Sequence, residues 1–105
     1  MATNPKNIDH YYKLASLYLG LGNLEQAIEI YDKIEQRTSL SEEISLQKQQ
    51  IYLKMKAYKK AEAEIKRLID AYPAESRYYG ILAEYYMARD MKKEALEQYE
   101  KILEI

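Results

Sequence analysis

The chain has 105 residues, 31% of them charged, with a formal net charge of −1; that length holds one small domain or one short array. Sixteen basic residues mixed among 17 acidic ones leave no electrostatic footprint for nucleic acid and no polybasic membrane patch. Cysteine is absent, which removes disulfides, thiolate catalysis and thiolate metal sites, and no apolar run approaches the ~20 residues of a membrane span.

Residues 1–7 are polar, lack the apolar stretch of a secretion signal, and are expected to form a flexible N-terminal segment; the default compartment is then the cytoplasm. Two apolar-periodic segments follow, Ile8–Leu19 and Leu24–Ile34, separated by Gly20, Gly22 and Asn23. Glycine reaches positive φ cheaply, so this junction reads as a tight helix–helix turn. In the first segment Tyr11, Leu14, Ala15 and Tyr18 recur at +3, +4 and +7, the stripe of an amphipathic helix. Ser39 with Glu42 has the spacing of a capping box opening the third helix. Pro73 closes the fourth, because proline cannot continue the helical hydrogen-bond ladder. The pattern predicts six helices, at about 8–20, 24–36, 41–55, 58–71, 75–89 and 92–104, with turns near Lys56-Ala57 and Asp90-Met91 although neither has a glycine.

A fixed step governs the chain. Ala27, Ala61 and Ala95 are 34 residues apart; so are Tyr18, Tyr52 and Tyr86, then Tyr31, Ile65 and Tyr99, then Ile34, Leu68 and Ile102. A period in this range marks stacked supersecondary units whose apolar faces are covered only by their neighbours. The units expected are 8–41, 42–75 and 76–105, each an antiparallel helix pair. Small residues at Ala15, Ala27, Ala83 and Ala95 would allow close helix approach, while Tyr11, Leu14, Tyr18 and Tyr31 fill the space between pairs. Two features depart from the pattern. The third helix has Ser45, Lys48 and Gln49 where its counterparts have Tyr, Leu and Ala; Gln49 should widen the helix approach and Lys48 should snorkel, leaving packing to Ile44, Ile51, Tyr52 and Met55. At the end of the third unit, Leu96, Ile102, Leu103 and Ile105 are expected to have no following helix, as in a piece of a longer array or a self-associating chain.

With its large, small and tyrosine positions on the first helix and alanine, aromatic and proline positions on the second, the chain resembles the tetratricopeptide-repeat family over residues 8–105. The resemblance implies an all-α fold, a right-handed α-α superhelix of three antiparallel helix pairs, working as a non-enzymatic scaffold for proteins or peptides. It also implies a concave groove lined by the first helix of each unit. By helix phase that groove holds Asp9, Tyr12, Ser16 and Leu19, then Glu43, Leu46, Gln50 and Leu53, then Arg77, Gly80, Glu84 and Met87. Tyr12, Leu19, Leu46, Leu53 and Met87 give an apolar strip edged by polar groups, suited to an extended segment or an amphipathic helix. The carboxylate-clamp subclass would need cationic and amide groups at Tyr12, Ser16, Gln47, Arg77 and Ile81, and only Arg77 keeps its charge. The alternative is a structural segment of a longer solenoid, used for assembly or self-association through the last helix.

No catalytic constellation is expected. His10, the lone histidine, lies beside Asp9 on adjacent helical positions that point about 100° apart; it reads as a structural residue at the packing edge of the first helix. Gly20-Leu21-Gly22 lacks the strand and lysine of a phosphate loop, and the acidic pairs lack metal-ligand spacing, so neither cofactor nor metal is expected. Most of the 12 tyrosines fall in core phases, with Tyr12 and Tyr78 off the main stripe as candidates for a partner surface. Base reading by an array like the pentatricopeptide repeats is disfavoured by the period of 34 and the net charge.

Overall fold

Six helices make up the computed structural model, which describes residues 5–105: α1 (Pro5–Gly20), α2 (Leu24–Thr38), α3 (Glu42–Lys54), α4 (Tyr58–Ala71), α5 (Ser76–Ala88) and α6 (Lys92–Glu104). Of the segment 1–7, residues 1–4 lie outside the described residues and 5–7 belong to α1. The pairs α1–α2, α3–α4 and α5–α6 pack most extensively, and the α2–α3 and α4–α5 junctions join them into a stack of 46 × 28 × 15 Å. No strand occurs among the described residues.

The turn inside each pair is the same structure three times. Gly22, Lys56 and Asp90, 34 residues apart, have φ of 79°, 61° and 58°. In each, the next residue's N–H closes back onto a tyrosine carbonyl at 2.8 Å: Asn23 to Tyr18, Ala57 to Tyr52 and Met91 to Tyr86. This left-handed closure satisfies carbonyls that the helix end would leave open. Glycine is used only at the first site; lysine and aspartate accept the strain at the other two because the repeat dictates the backbone there.

The third helix is capped differently from the expectation. Ser41, not Ser39, precedes α3, and its hydroxyl accepts the Ile44 N–H at 3.4 Å. Ser39 instead terminates α2 with its N–H on the Glu35 carbonyl, at φ 95° and ψ −175°, a region that costs a residue with a Cβ of order 1–3 kcal/mol. Both serines fit the composition of a cap, and only the observed helix end distinguishes them.

Two apolar clusters form the core. The first joins Ala15, Ala27, Tyr31, Ile34, Ile44 and Ile51, so it spans the first pair and α3. The second joins Ala61, Ile65, Leu82, Ala83, Tyr86 and Ala95, spanning α4 and the last pair. The alanines are almost fully buried at every expected close approach, and Tyr52 packs against both clusters. Among residues in core phases, Leu14 and Tyr99 are corrections: they face the two ends of the stack and stay exposed.

The divergent α3 does not behave as the sequence suggested. Lys48 is buried, with Nζ 2.6 Å from Asp32 Oδ1, 3.1 Å from Glu35 Oε1 and 3.3 Å from Glu64 Oε2. Arg67 closes the cluster at 3.0 Å from Glu64 and 3.5 Å from Glu35. Burial alone would pull the Lys48 ammonium's pKa down; hydrogen bonds to Asp32 and Glu35, with the charge of Glu64, outweigh it and hold the group above the ordinary lysine value. The lysine therefore does not snorkel, since its charge is satisfied from α2 and α4. Gln49 is buried too and accepts from Gln50 Nε2 at 3.3 Å, and α3 and α4 pack as extensively as the other pairs, so the expected widening is absent.

Candidate partner-binding groove

The first helices α1, α3 and α5 carry the predicted groove residues at matching phase, because a 34-residue step returns each position to the same place in its unit. Their surroundings differ. Tyr12 and Leu19 are half-buried and rest on the first core cluster. Ser16 is exposed and Leu46 half-buried, belonging to neither cluster. Leu53 rests on the second cluster, so it is partly a packing residue. Met87 is exposed. Gln50, Leu53 and Glu84 are brought together with Gln49, Ile81 and Tyr85 around one recess of about 140 Å³ between α3 and α5.

Arg77 is engaged within the chain. Its guanidinium donates to Glu42 through Nη1 at 3.2 Å and Nη2 at 2.9 Å, and to Glu75 through Nε at 3.0 Å. Tyr78, expected at a partner surface, is buried and donates its hydroxyl to Glu42 Oε1 at 2.7 Å. The hydrogen bonds from Arg77 and Tyr78 hold the Glu42 carboxyl below its ordinary pKa. Burial, with the hydrogen bond to Glu42, pushes the Tyr78 hydroxyl up to about 12. The signal was in the sequence: Tyr78 is 34 residues after Ile44, which faces inward. The one cation at a clamp position is thus held by two carboxylates. Asp9, Glu43 and Glu84 stand exposed on the same set of helices and give the face an acidic edge.

The tyrosine hydroxyls show why Tyr replaces Phe at the second junction. Tyr86 donates to Glu62 at 2.8 Å, and Tyr85 to the Tyr58 carbonyl at 2.9 Å, with Glu62 at 3.3 Å and Arg89 over the Tyr58 ring at 4.5 Å. Burial, followed by the hydrogen bond to Glu62, raises the Tyr86 hydroxyl well above the ordinary tyrosine value. Composition had pointed to packing alone. His10 is exposed, not packed. Among the described residues no group of three or more metal-ligating side chains occurs, and no helix is long and apolar enough to cross a membrane.

A family model described as a tetratricopeptide repeat matches residues 1–29. No curated protein matches the chain. Among solved structures, MamA is similar at a TM-score of 0.72 and 21% identity; the match covers 92% of this chain and 57% of that one. The second repeat domain of Spaghetti (RPAP3), solved with the HSP90 peptide SRMEEVD, gives 0.67 at 19% identity, covering 91% of this chain and 89% of that one. PcrH, solved with the chaperone-binding region of PopB, gives 0.73 at 13% identity over 95% and 81%. With that model over α1 and the start of α2, and three phased helix pairs similar to these solved arrays, the chain has the tetratricopeptide-repeat fold, a right-handed α-α solenoid.

Proposed function

We propose that the chain is a non-enzymatic interaction module that holds a peptide segment or a partner's helix along the face made by α1, α3 and α5. The carrying observation is the recess between α3 and α5, where Leu53 and Ile81 are flanked by Gln50 and Glu84. An apolar floor with a few polar groups around it fixes an extended segment by its side chains. Leu46 and Met87 extend the apolar strip without belonging to either core cluster. Two of the similar folds, the Spaghetti domain and PcrH, were solved with a bound peptide or protein region, which supports an interaction role here.

The chemistry of the face defines the partner further. Arg77 is neutralised by Glu42 and Glu75, while Asp9, Glu43 and Glu84 are exposed. A free C-terminal carboxylate or an acidic segment would meet repulsion; apolar side chains flanked by neutral or basic residues would not. The test is capture from lysate on the immobilised chain beside a Leu46→Asp/Met87→Asp variant, with helix content checked by circular dichroism. These two positions are preferable to Leu53, whose contact with the core would confuse lost binding with lost folding. Proteins held by the parent and lost by the folded variant support the groove; equal retention on both contradicts it.

A further inference from the structure

The stack has two apolar end faces, and each is in phase with an interface that the chain already builds twice. At the internal junctions the second helix of one unit covers the first helix of the next: Tyr31 and Ile65 on the covering side are 4% and 0% exposed. Tyr99, one period further on α6, is 45% exposed, and its neighbours Leu96 and Leu103 are exposed as well. On the receiving side, Lys48 and Ile51 of α3 and Leu82 and Tyr85 of α5 are all buried. Their counterparts on α1, Leu14 and Leu17, are exposed, and Leu21 continues that stripe. Exposed large apolar side chains among the described residues concentrate at these two ends, with only Tyr72 and Met87 elsewhere.

We infer that copies of this chain stack head to tail, α6 of one packing on α1 of the next as α2 packs on α3 and α4 on α5. The occupant is specified by one matched position. At the first junction Glu35 meets Lys48, at 3.1 Å. One period later the same two places hold Ile69 and Leu82, which pack in one apolar cluster. One period later again the α6 member is Leu103, and the α1 member, one period before Lys48, is Leu14. Apolar therefore faces apolar at this position, as at the second junction, while Glu100, two periods after Asp32, would stand beside it as an exposed charge. The surfaces are different patches on one molecule, so the contact is heterologous and propagates. The inference uses the ends of the stack and stands independently of the groove.

Sedimentation velocity over a concentration series tests it with two variants at exposed sites, Leu17→Glu on α1 and Leu103→Glu on α6. The parent should grow beyond dimer as concentration rises, while each variant alone should sediment as monomer. An equimolar mixture of the two should form a one-to-one dimer of twice the monomer mass and stop there, because one supplies an intact α6 face and the other an intact α1 face. A parent that stays monomeric throughout overturns the proposal. So does self-association of Leu17→Glu alone, which would mean α6 on α6, or of Leu103→Glu alone, which would mean α1 on α1. Leu21→Lys and Leu96→Lys carry the same test if either glutamate variant loses helix content.

Discussion

The two junctions between helix pairs solve one geometric problem with opposite chemistry. At α2–α3 a buried lysine sits among Asp32, Glu35 and Glu64, with Arg67 at the edge. At α4–α5 the corresponding position is Leu82, beside Ile65 and Ile69, and the polar contacts are those of the Tyr85 and Tyr86 hydroxyls with Glu62 and the Tyr58 carbonyl, with Arg89 donating to the Tyr85 hydroxyl. The backbone period fixes where side chains meet, not what they are. A buried charge is tolerated once its partners arrive from two other helices, and an apolar pair is tolerated at the same place without them.

The largest expected effect comes from Lys48→Leu. It would leave three carboxylates close together without their lysine, at a cost of about 3–5 kcal/mol in urea denaturation. Adding Glu35→Ile, which copies the Ile69–Leu82 arrangement into the first junction, should restore about half of that loss. If the double variant were no better than the single one, the two junctions would not be interchangeable. Next comes Leu82→Ala, which opens a void at a fully packed site and should cost about 2–5 kcal/mol; a negligible change in the urea midpoint would mean the second junction collapses without penalty.

Alkaline pH should act on both junctions together. The folded chain holds Lys48 above its ordinary 10.5, and Tyr78, Tyr85 and Tyr86 above their ordinary 10.0. A raised folded-state pKa means that the unfolded chain loses its proton first as pH climbs. The stabilisation is therefore complete below about pH 10 and declines as pH rises toward the folded values. Urea midpoints should be level between pH 7 and 9 and fall above 10, and Tyr86→Phe should make the fall shallower. An unchanged slope in that variant would remove Tyr86 from the account.

The smallest effects lie at the turns. Lys56→Gly and Asp90→Gly should each stabilise by up to about 1 kcal/mol by relieving a left-handed residue, and Gly22→Ala should destabilise by about the same. Melting temperatures that moved the other way would mean the side chains of Lys56 and Asp90 contribute more than their backbones cost.

The repeat made much of the fold legible. Positions 56 and 90 were predicted as turns without any glycine because Gly22 set the phase, and the alanine positions marked the close approaches. What stayed hidden were interactions between units. Lys48 looked like a flaw in α3 because its partners lie 13 or more residues away in sequence, and no local pattern links them. Arg77 looked like a free groove cation because Glu42, 35 residues earlier, enters the picture only when the units stack. The burial of Tyr78 is legible by phase, since it stands one period after the buried Ile44. For the groove, phase supplied the shared face, while the part that Leu53 plays in the core emerged only from packing.

Hydrogen exchange on the chain with a captured partner tests the interaction face most directly. The groove reading predicts added protection in the first helices α1, α3 and α5, greatest over 46–53 and 80–87, with α2, α4 and α6 unchanged. Protection confined to α2, α4 or α6 would contradict it and place the partner on the opposite side of the stack.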